Sequence, residues 1–368
     1  MLTLPHGAAH ERMASTLRKA ILQIDPSAIV EVVNALDHCA RWFRAFYNSY
    51  EIPLRYWPGL WGWIESIQHK GSSTAPGWVY RQGAQPLFRL IRAFDPDVGV
   101  ATEVGLCELA AMFKRETEAR FCLVAVPTGV DIDRAWAQDA VDLYVVAPGE
   151  AEAQSRVAGV PRAKVLPCGF PIDPAFASLP DRAAARRSLQ MSCDVPLVVV
   201  EFGGTGLGKP RHIWMELRKL QQPVQACFIS GKNRRLKHQL QLLCAGDRRY
   251  RVLGWVDNMH EWLAAADLLV GKPGGSIMWE AVSSGTPFLA LDPLPGEERR
   301  NCDWIEERGV GYWVRSPQDL APYISSLLAD REKLRSLSQR TLPLARPRAA
   351  YVAAEAILTL PYSCTQEG

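Results

Sequence analysis

The sequence predicts two α/β domains, each built on a doubly wound, parallel β-sheet covered by helices. Three observations carry this. At 368 residues the chain is too long for one ordinary core and suits two domains of roughly 150–190 residues. Hydrophobic residues make up 48% and charged residues 22%, which is a globular composition. Short runs rich in Val, Ile and Leu alternate with longer stretches of helical period, the pattern of βαβ units whose strands are buried on both faces.

In the first half, residues 2–4, 29–33, 98–101, 122–126, 143–147 and 165–167 read as strands. The first of these is short, as though clipped. The helix after it carries Met13, Leu17, Ile21 and Ile24, spaced 4, 4 and 3, so one face packs on a sheet. The text then changes to PIDPAFASLPDRAAARRSLQMSCDVP (171–196), with four prolines and no strand run, which reads as an interdomain connection carrying a short helix. A second strand series follows at 197–202, 224–229, 251–253, 268–270, 288–291 and 311–314, and helical text ends near 349–358. The expected division is a first domain at 1–175, a connection at 176–196, a second domain at 197–345, and a C-terminal helix and tail at 346–368 packing back on the first domain.

Net charge is +3, so bulk electrostatics give no support to a nucleic-acid partner. The nine cysteines show no CxxC pair and no zinc-site or disulfide spacing. They read as small core residues in a reducing cytoplasm. The N-terminus lacks the basic start and apolar run of a signal peptide, and no run approaches ~18 uninterrupted apolar residues, so no transmembrane span is expected. Any meeting with a membrane is therefore expected to be peripheral.

Residues 41–63, RWFRAFYNSYEIPLRYWPGLWGW, break the pattern. They hold four of the twelve tryptophans (Trp42, Trp57, Trp61 and Trp63), with Phe43, Phe46, Tyr47, Tyr50 and Tyr56. Trp and Tyr favour membrane interfaces, where ring and polar atom each meet a suitable medium, and Arg41, Arg44 and Arg55 suit lipid phosphates. The plainer alternative is a helical insert whose aromatics fill a gap between helices.

Three motifs carry chemistry. GKPGGS (271–276) follows the 268–270 strand and precedes Glu280. Glycines at a strand-to-helix turn let backbone N–H groups approach a pyrophosphate, and the helix N-terminus favours the anion. Glu280, about one turn into that helix, suits the two hydroxyls of a ribose; a solvated Glu after a tight turn is the bland alternative. GGTGLG (203–208) follows the 197–202 strand. The dinucleotide fingerprint needs an acidic residue at the end of the next strand, and ISGKN (229–233) stands there instead, which disfavours NAD and leaves a phosphate-facing loop. In GAAH (7–10), His10 lies between the first strand and helix, where a neutral imidazole can take a proton from a hydroxyl. A lone His is more often a packing residue. His6 lies nearby without Cys or carboxylate companions, so no metal site is expected.

These residues carry a resemblance. FGGTGLG (202–208), SGKN (230–233), LGWVDNMHEWLAAADLLVGKPGGSIMWEAVSSGTP (253–287) and PLPGEERRN (293–301) resemble the GT-B glycosyltransferases of the monogalactosyldiacylglycerol synthase and processive diacylglycerol glucosyltransferase family, relatives of the MurG-type transferases. GAAHERMASTLRKAI (7–21), VVNALD (32–37), PDVGVATEVGL (96–106), the 131–146 stretch and CGFPIDPAF (168–176) follow its first domain in order.

The resemblance implies an N-terminal acceptor and membrane domain and a C-terminal UDP-sugar domain, both Rossmann-like. It implies His10 as base and Gly204 with Thr205 beside the donor phosphates. Gly231 to Asn233 and Gly254 to Met259, with Val256 between them, would surround the uridine. Gly274, Gly275 and Ser276 would meet the pyrophosphate, Glu280 the ribose, and Glu297, Glu298 and Asn301 the sugar. Trp57, Trp61, Trp63 and Arg55 fall to the membrane side. Lys209 and Lys272 lie close enough in sequence to the Gly loops to assist with charge; a merely solvated charge is the alternative for either.

Two departures stand out: Gly7-Ala8-Ala9-His10 replaces the family's GxGH, and Glu297 replaces the Gln of PGQE. The second leaves the hexose open.

The implied reaction is one inverting displacement, with UDP-sugar as donor substrate, diacylglycerol or a related lipid as acceptor, an anionic membrane surface as partner, and neither metal nor cofactor. Its place is the cytoplasmic face of a membrane. The alternatives are a UDP-N-acetylglucosamine transferase acting on a polyprenyl-linked acceptor, a UDP-sugar epimerase or hydrolase, and a non-catalytic nucleotide- or lipid-binding protein.

Overall fold

The computed structural model describes the chain apart from residues 5–7, 50–56, 58, 60–70, 72, 131, 133, 205, 207–208 and 362–368. It divides into two compact units, Met1–Pro174 with Arg348–Gly368, and Ala175–Pro347.

The first unit holds β1 (Leu2–Thr3), β2 (Val33–Asn34), β3 (Val98–Ala101), β4 (Cys122–Ala125), β5 (Leu143–Val145) and β6 (Val165–Leu166). They form one sheet in the order β2-β1-β3-β4-β5-β6, with every pairing parallel. Strand order reverses between β1 and β3. The strand expected at 29–33 is shifted to Val33–Asn34, and Ile29 is 81% exposed. The reason is its partner: β1 is two residues long, so its ladder supports only two, with Leu2 opposite Val33 and Thr3 opposite Asn34.

The helix Ala8–Ile24 buries Met13, Ala14, Leu17, Ala20 and Ile21, whereas Ile24 at its end is exposed. The helix Ala349–Leu358 packs against it through small buried residues, Ala349, Ala350, Ala353 and Ala354, and Tyr351 Oη donates to Gln23 Oε1 at 2.8 Å.

Glu108, buried in the helix Val104–Thr117, accepts from Ser73 Oγ at 2.6 Å and from Thr74 N at 2.7 Å. Burial pushes its carboxyl above the usual range, and the two hydrogen bonds oppose that shift. The chain following the aromatic stretch is thereby tied to the sheet's helical layer.

The second unit holds β7 (Leu197–Glu201), β8 (Gln225–Ile229), β9 (Tyr250–Leu253), β10 (Leu268–Gly271), β11 (Phe288–Leu291) and β12 (Gly311–Val314). Their order is β12-β11-β10-β7-β8-β9, again parallel throughout. This is the dinucleotide-fold winding, reversing between β7 and β10. Every residue of β7, β8, β10 and β11 is buried, which explains why these strands read as unbroken apolar runs rather than alternating ones.

Residues 176–196, expected as a connection, are part of this second unit. Asp181 caps the helix Arg182–Ser188 by accepting from Ala184 N at 2.9 Å, and the helix packs on Met259–Ala265. Arg186, 5% exposed, pairs with Asp267 at 2.5 Å and donates to the Ala265 carbonyl at 2.9 Å. Asp267 also accepts from Leu197 N at 2.7 Å, so a charged anchor joins the Pro-rich stretch to the start of β7. Such a pair leaves no apolar trace in the sequence.

Among the described residues, Cys39, Cys107, Cys122, Cys227, Cys244 and Cys302 are buried and unbridged. No helix among the described residues is long and apolar enough to cross a membrane.

Candidate active site

Because the second sheet is wholly parallel, the segments after β7, β8, β9, β10 and β11 all emerge at one edge, and those after β7 and β10 flank the reversal point. The first two interlock. Gly203, Gly206 and Gly231 take φ of 74°, 65° and 61°, a left-handed backbone that costs a side-chain-bearing residue but not Gly. A Cβ on Gly231 would lie 2.5 Å from the Gly203 carbonyl oxygen and 2.7 Å from that of Gly204. Lys232 N donates to Gly204 O at 2.9 Å. Asn233 works at both ends of its amide: Oδ1 accepts from Leu236 N at 2.9 Å, capping the helix Arg234–Leu243, and Nδ2 donates to Gly206 O at 3.2 Å. The glycines and Asn233 of SGKN thus shape the loop before any ligand is considered. Thr205 lies outside the described residues.

The turn after β10 is similarly over-determined. Gly271 runs so close to β7 that a Cβ would meet the Glu201 carbonyl at 2.5 Å. Gly274 is the N-cap of the helix Gly275–Ser284, with φ −67° and ψ 151°, and its carbonyl accepts from Met278 N at 3.1 Å. The first N–H groups of a helix have no intrahelical partner, so this end presents donors to an anion. Ser276 Oγ, on the first turn, is buried without a hydrogen-bond partner.

Asn301 is wholly buried, and its Nδ2 donates to Pro273 O at 2.8 Å. It thereby supports the turn from within. Glu298 accepts from Lys272 Nζ at 3.1 Å and 3.0 Å through its two oxygens, and from Leu294 N at 2.6 Å. This ties the turn after β10 to the segment after β11. Glu297 and Glu298 open the helix Glu297–Glu307 after Gly296, φ 92°, where negative charge suits the helix dipole. Glu280 sits five residues past Gly275 and is 1% exposed.

After β9, Gly254 and Val256 are half-buried and Met259 is buried at the start of its helix. Trp255 is 39% exposed, with Lys232 Nζ 5.1 Å from its ring centre and its own Nε1 donating to Asp257 at 2.8 Å. These residues share the edge with the Gly loops.

In the first unit His10 lies on the first turn of Ala8–Ile24, just past β1, and its Nδ1 is 2.5 Å from the carbonyl oxygen of Thr102, the residue after β3. A carbonyl only accepts, so Nδ1 carries the proton and Nε2 is the basic nitrogen. His10 thus stands at this sheet's own reversal point, with a fixed tautomer. The helix following Thr102 is capped by Glu103, whose carboxylate accepts from Gly105 N at 3.0 Å and Leu106 N at 2.9 Å.

The aromatic stretch divides. Phe43 is fully buried, and Gly83 makes room for it, since a Cβ there would fall 2.1 Å from its ring. Trp42 and Phe46, one turn apart on the helix Arg41–Asn48, are 45% and 49% exposed, and Trp57 is 59% exposed. Arg55, Trp61 and Trp63 lie outside the described residues. Arg44 donates to the carbonyls of Leu36 at 2.9 Å and Asp37 at 3.0 Å, so its charge is engaged by the fold. Sequence reasoning missed Trp78, 58% exposed on the helix Gly77–Gly83; its signal was an isolated Trp just after a Ser-, Gly- and Pro-rich stretch. The Lys272–Glu298 and Asn301–Pro273 contacts had no local signal at all.

No cluster of three or more His, Cys, Asp or Glu suited to a metal occurs among the described residues.

The family model for monogalactosyldiacylglycerol (MGDG) synthase matches residues 10–172. A processive diacylglycerol beta-glucosyltransferase of Bacillus licheniformis is 24% identical over 345 residues, spanning 92% of this chain and 88% of that protein. Among solved structures, the S. aureus MnaA–UDP co-structure superposes with a TM-score of 0.64 at 14% identity, covering 97% of this chain and 94% of that one. MurG of Acinetobacter baumannii gives 0.57 at 14%, covering 78% and 80%. The chain has the GT-B fold, and it is homologous to the monogalactosyldiacylglycerol synthases over residues 10–172 and to the processive diacylglycerol glucosyltransferases over nearly its whole length.

Proposed function

We propose that this chain is an inverting hexosyltransferase that moves a hexose from a UDP-sugar to diacylglycerol at an anionic membrane surface. His10 Nε2 takes the proton of the lipid hydroxyl as that oxygen attacks the anomeric carbon. The bond from this carbon to the β-phosphate oxygen breaks, and UDP leaves from the opposite face with the electron pair. Negative charge growing on the departing phosphate is met by backbone donors of the Gly loops after β7 and β10 and by the N-terminus of Gly275–Ser284. Glu280 takes the ribose, the segments after β8 and β9 take the uracil, and Glu297 with Glu298 faces the hexose.

The observation that carries this reading is the His10–Thr102 hydrogen bond, which leaves a basic nitrogen at the reversal point of the first sheet. Glycine turns and a helix N-terminus occupy the same place on the second sheet. Support for the lipid comes from the name of the Bacillus relative and from the exposed Trp42, Phe46, Trp57 and Trp78.

The test is to incubate the purified protein with diacylglycerol-containing vesicles and a panel of UDP-sugars, and to analyse products by thin-layer chromatography and mass spectrometry. Formation of a glycosyl-diacylglycerol from one of the donors is the expected result. Turnover of UDP-N-acetylglucosamine without lipid product, or glycosylation only of a polyprenyl-linked acceptor, would overturn it.

A further inference from the structure

Two lysines at the C-terminal edge of the second sheet are each held by a carboxylate after β11, and the two pairs differ in kind. Lys272–Glu298 is closed: the side chains are 9% and 18% exposed, and both carboxylate oxygens are used. Lys209–Asp292 is loose. Lys209 Nζ lies 3.2 Å from Asp292 Oδ1, and the side chains are 56% and 21% exposed. Asp292 Oδ2 is buried with no hydrogen-bond partner. Asp292 also has φ 49°, a left-handed backbone that Asp adopts more readily than most non-glycine residues.

The place of this pair matters. Lys209 is the N-cap of the helix Pro210–Arg218, whose positive end favours an anion. Since β10 lies between β7 and β11, the bond from Lys209 to Asp292 reaches past the end of β10, where the 271–276 turn begins. A cation and two helix N-termini therefore border one another at the reversal point, and the anion engaging the cation is the protein's own.

We propose that Asp292 competes with the donor's diphosphate for Lys209, so that donor binding exchanges one anion for the other. This rests on the reading of the edge as a UDP-sugar site. A diphosphate carries more charge and more acceptor oxygens than one carboxylate bound through a single oxygen, so it wins the exchange. Asp292 sets the affinity downward and speeds the return of Lys209 when UDP leaves. Its removal has an effect opposite in sign to that of removing a residue which contacts the ligand.

The experiment is calorimetric titration of the whole protein with UDP, and with uridine, for wild type, Asp292→Asn, Lys209→Met and the double variant. Asn keeps the size of Asp and tolerates a left-handed backbone, and thermal melting checks that each variant is folded. Asp292→Asn should bind UDP about 2- to 5-fold more tightly, the scale of an exposed ion pair, with uridine affinity unchanged. Lys209→Met should bind UDP several-fold more weakly, and Asp292→Asn should add nothing in that background. UDP binding equal to or weaker than wild type in Asp292→Asn, or an equal gain for uridine, overturns the proposal while leaving the donor site standing. Failure of the wild-type protein to bind UDP overturns the donor-site reading and this proposal with it.

Discussion

His10 Nδ1 and the Thr102 carbonyl oxygen stand 2.5 Å apart, joining the helix after β1 to the residue that follows β3. Thr102 is itself fixed, fully buried with its N–H and Oγ directed to the Leu2 carbonyl at 3.3 Å each. The ring is thus held by the sheet and not by a mobile side chain. A base held in this way can act without first paying to orient its ring.

His10→Ala should therefore abolish transfer, since loss of a general base costs about 10²–10⁴-fold in rate. UDP affinity by calorimetry should stay within a few-fold of wild type, because the nucleotide is assigned to the other unit. Turnover retained in the variant would remove His10 from the mechanism.

Glu280 offers a sharper test because its side chain is enclosed. If its carboxylate takes the ribose, Glu280→Ala should weaken UDP and UDP-sugar alike by ~1.5–3 kcal/mol, the size of a hydrogen bond to a charged group. If it serves only the fold, the melting temperature falls while UDP affinity in the folded protein is unchanged, and the ribose assignment is lost.

Asn233 separates shape from contact. Asn233→Ala removes the cap of Arg234–Leu243 and the bond to Gly206 O, so it should lower stability by ~1 kcal/mol and weaken UDP by releasing the loop after β7. Asn233→Asp keeps the capping oxygen, loses the donor to Gly206 and adds a negative charge beside the loop. It should melt near wild type yet still bind UDP less well; wild-type affinity in Asn233→Asp would show that the clamp does not shape the nucleotide site.

The central strands were legible because a strand buried on both faces is an apolar run: 288–291 coincides with β11. Where a strand's length depends on its partner, as in β2, the run misleads. The motifs at 203–208 and 271–276 were legible because glycine announces a backbone that other residues resist. What completes them was not. Lys272 meets Glu298 across 26 residues, Arg186 meets Asp267 across 81, and His10 meets a backbone carbonyl 92 residues away. Such contacts are made by the fold and leave no local period. Asn301 likewise carries a contact the sequence does not announce, its Nδ2 donating to Pro273 O 28 residues away.

With diacylglycerol as the proposed acceptor, the protein has to meet it at a lipid surface. Diacylglycerol is nearly insoluble, so it must be taken from a bilayer, and docking falls to interfacial aromatics and nearby cations. Trp42, Phe46, Trp57 and Trp78 are 45–59% exposed, and Trp at an interface buries its ring in the acyl boundary while its N–H meets headgroups. Arg41 is exposed beside Trp42, and a cation near an anionic surface contributes about 1 kcal/mol. Changing Trp42, Phe46, Trp57 and Trp78 together to Ser should leave the melting temperature and UDP affinity close to wild type, because these side chains already face solvent. Co-sedimentation with anionic, diacylglycerol-containing vesicles should fall, and lipid glycosylation with it. Added salt should weaken the wild-type protein's vesicle binding, since charges at a surface are screened. Phe43→Ser is the internal contrast: its fully buried ring, set against Gly83, should cost at least ~3 kcal/mol and disrupt the unit. If the fourfold variant folds and still binds vesicles fully, the docking surface is elsewhere; if it unfolds as Phe43→Ser does, these aromatics belong to the core.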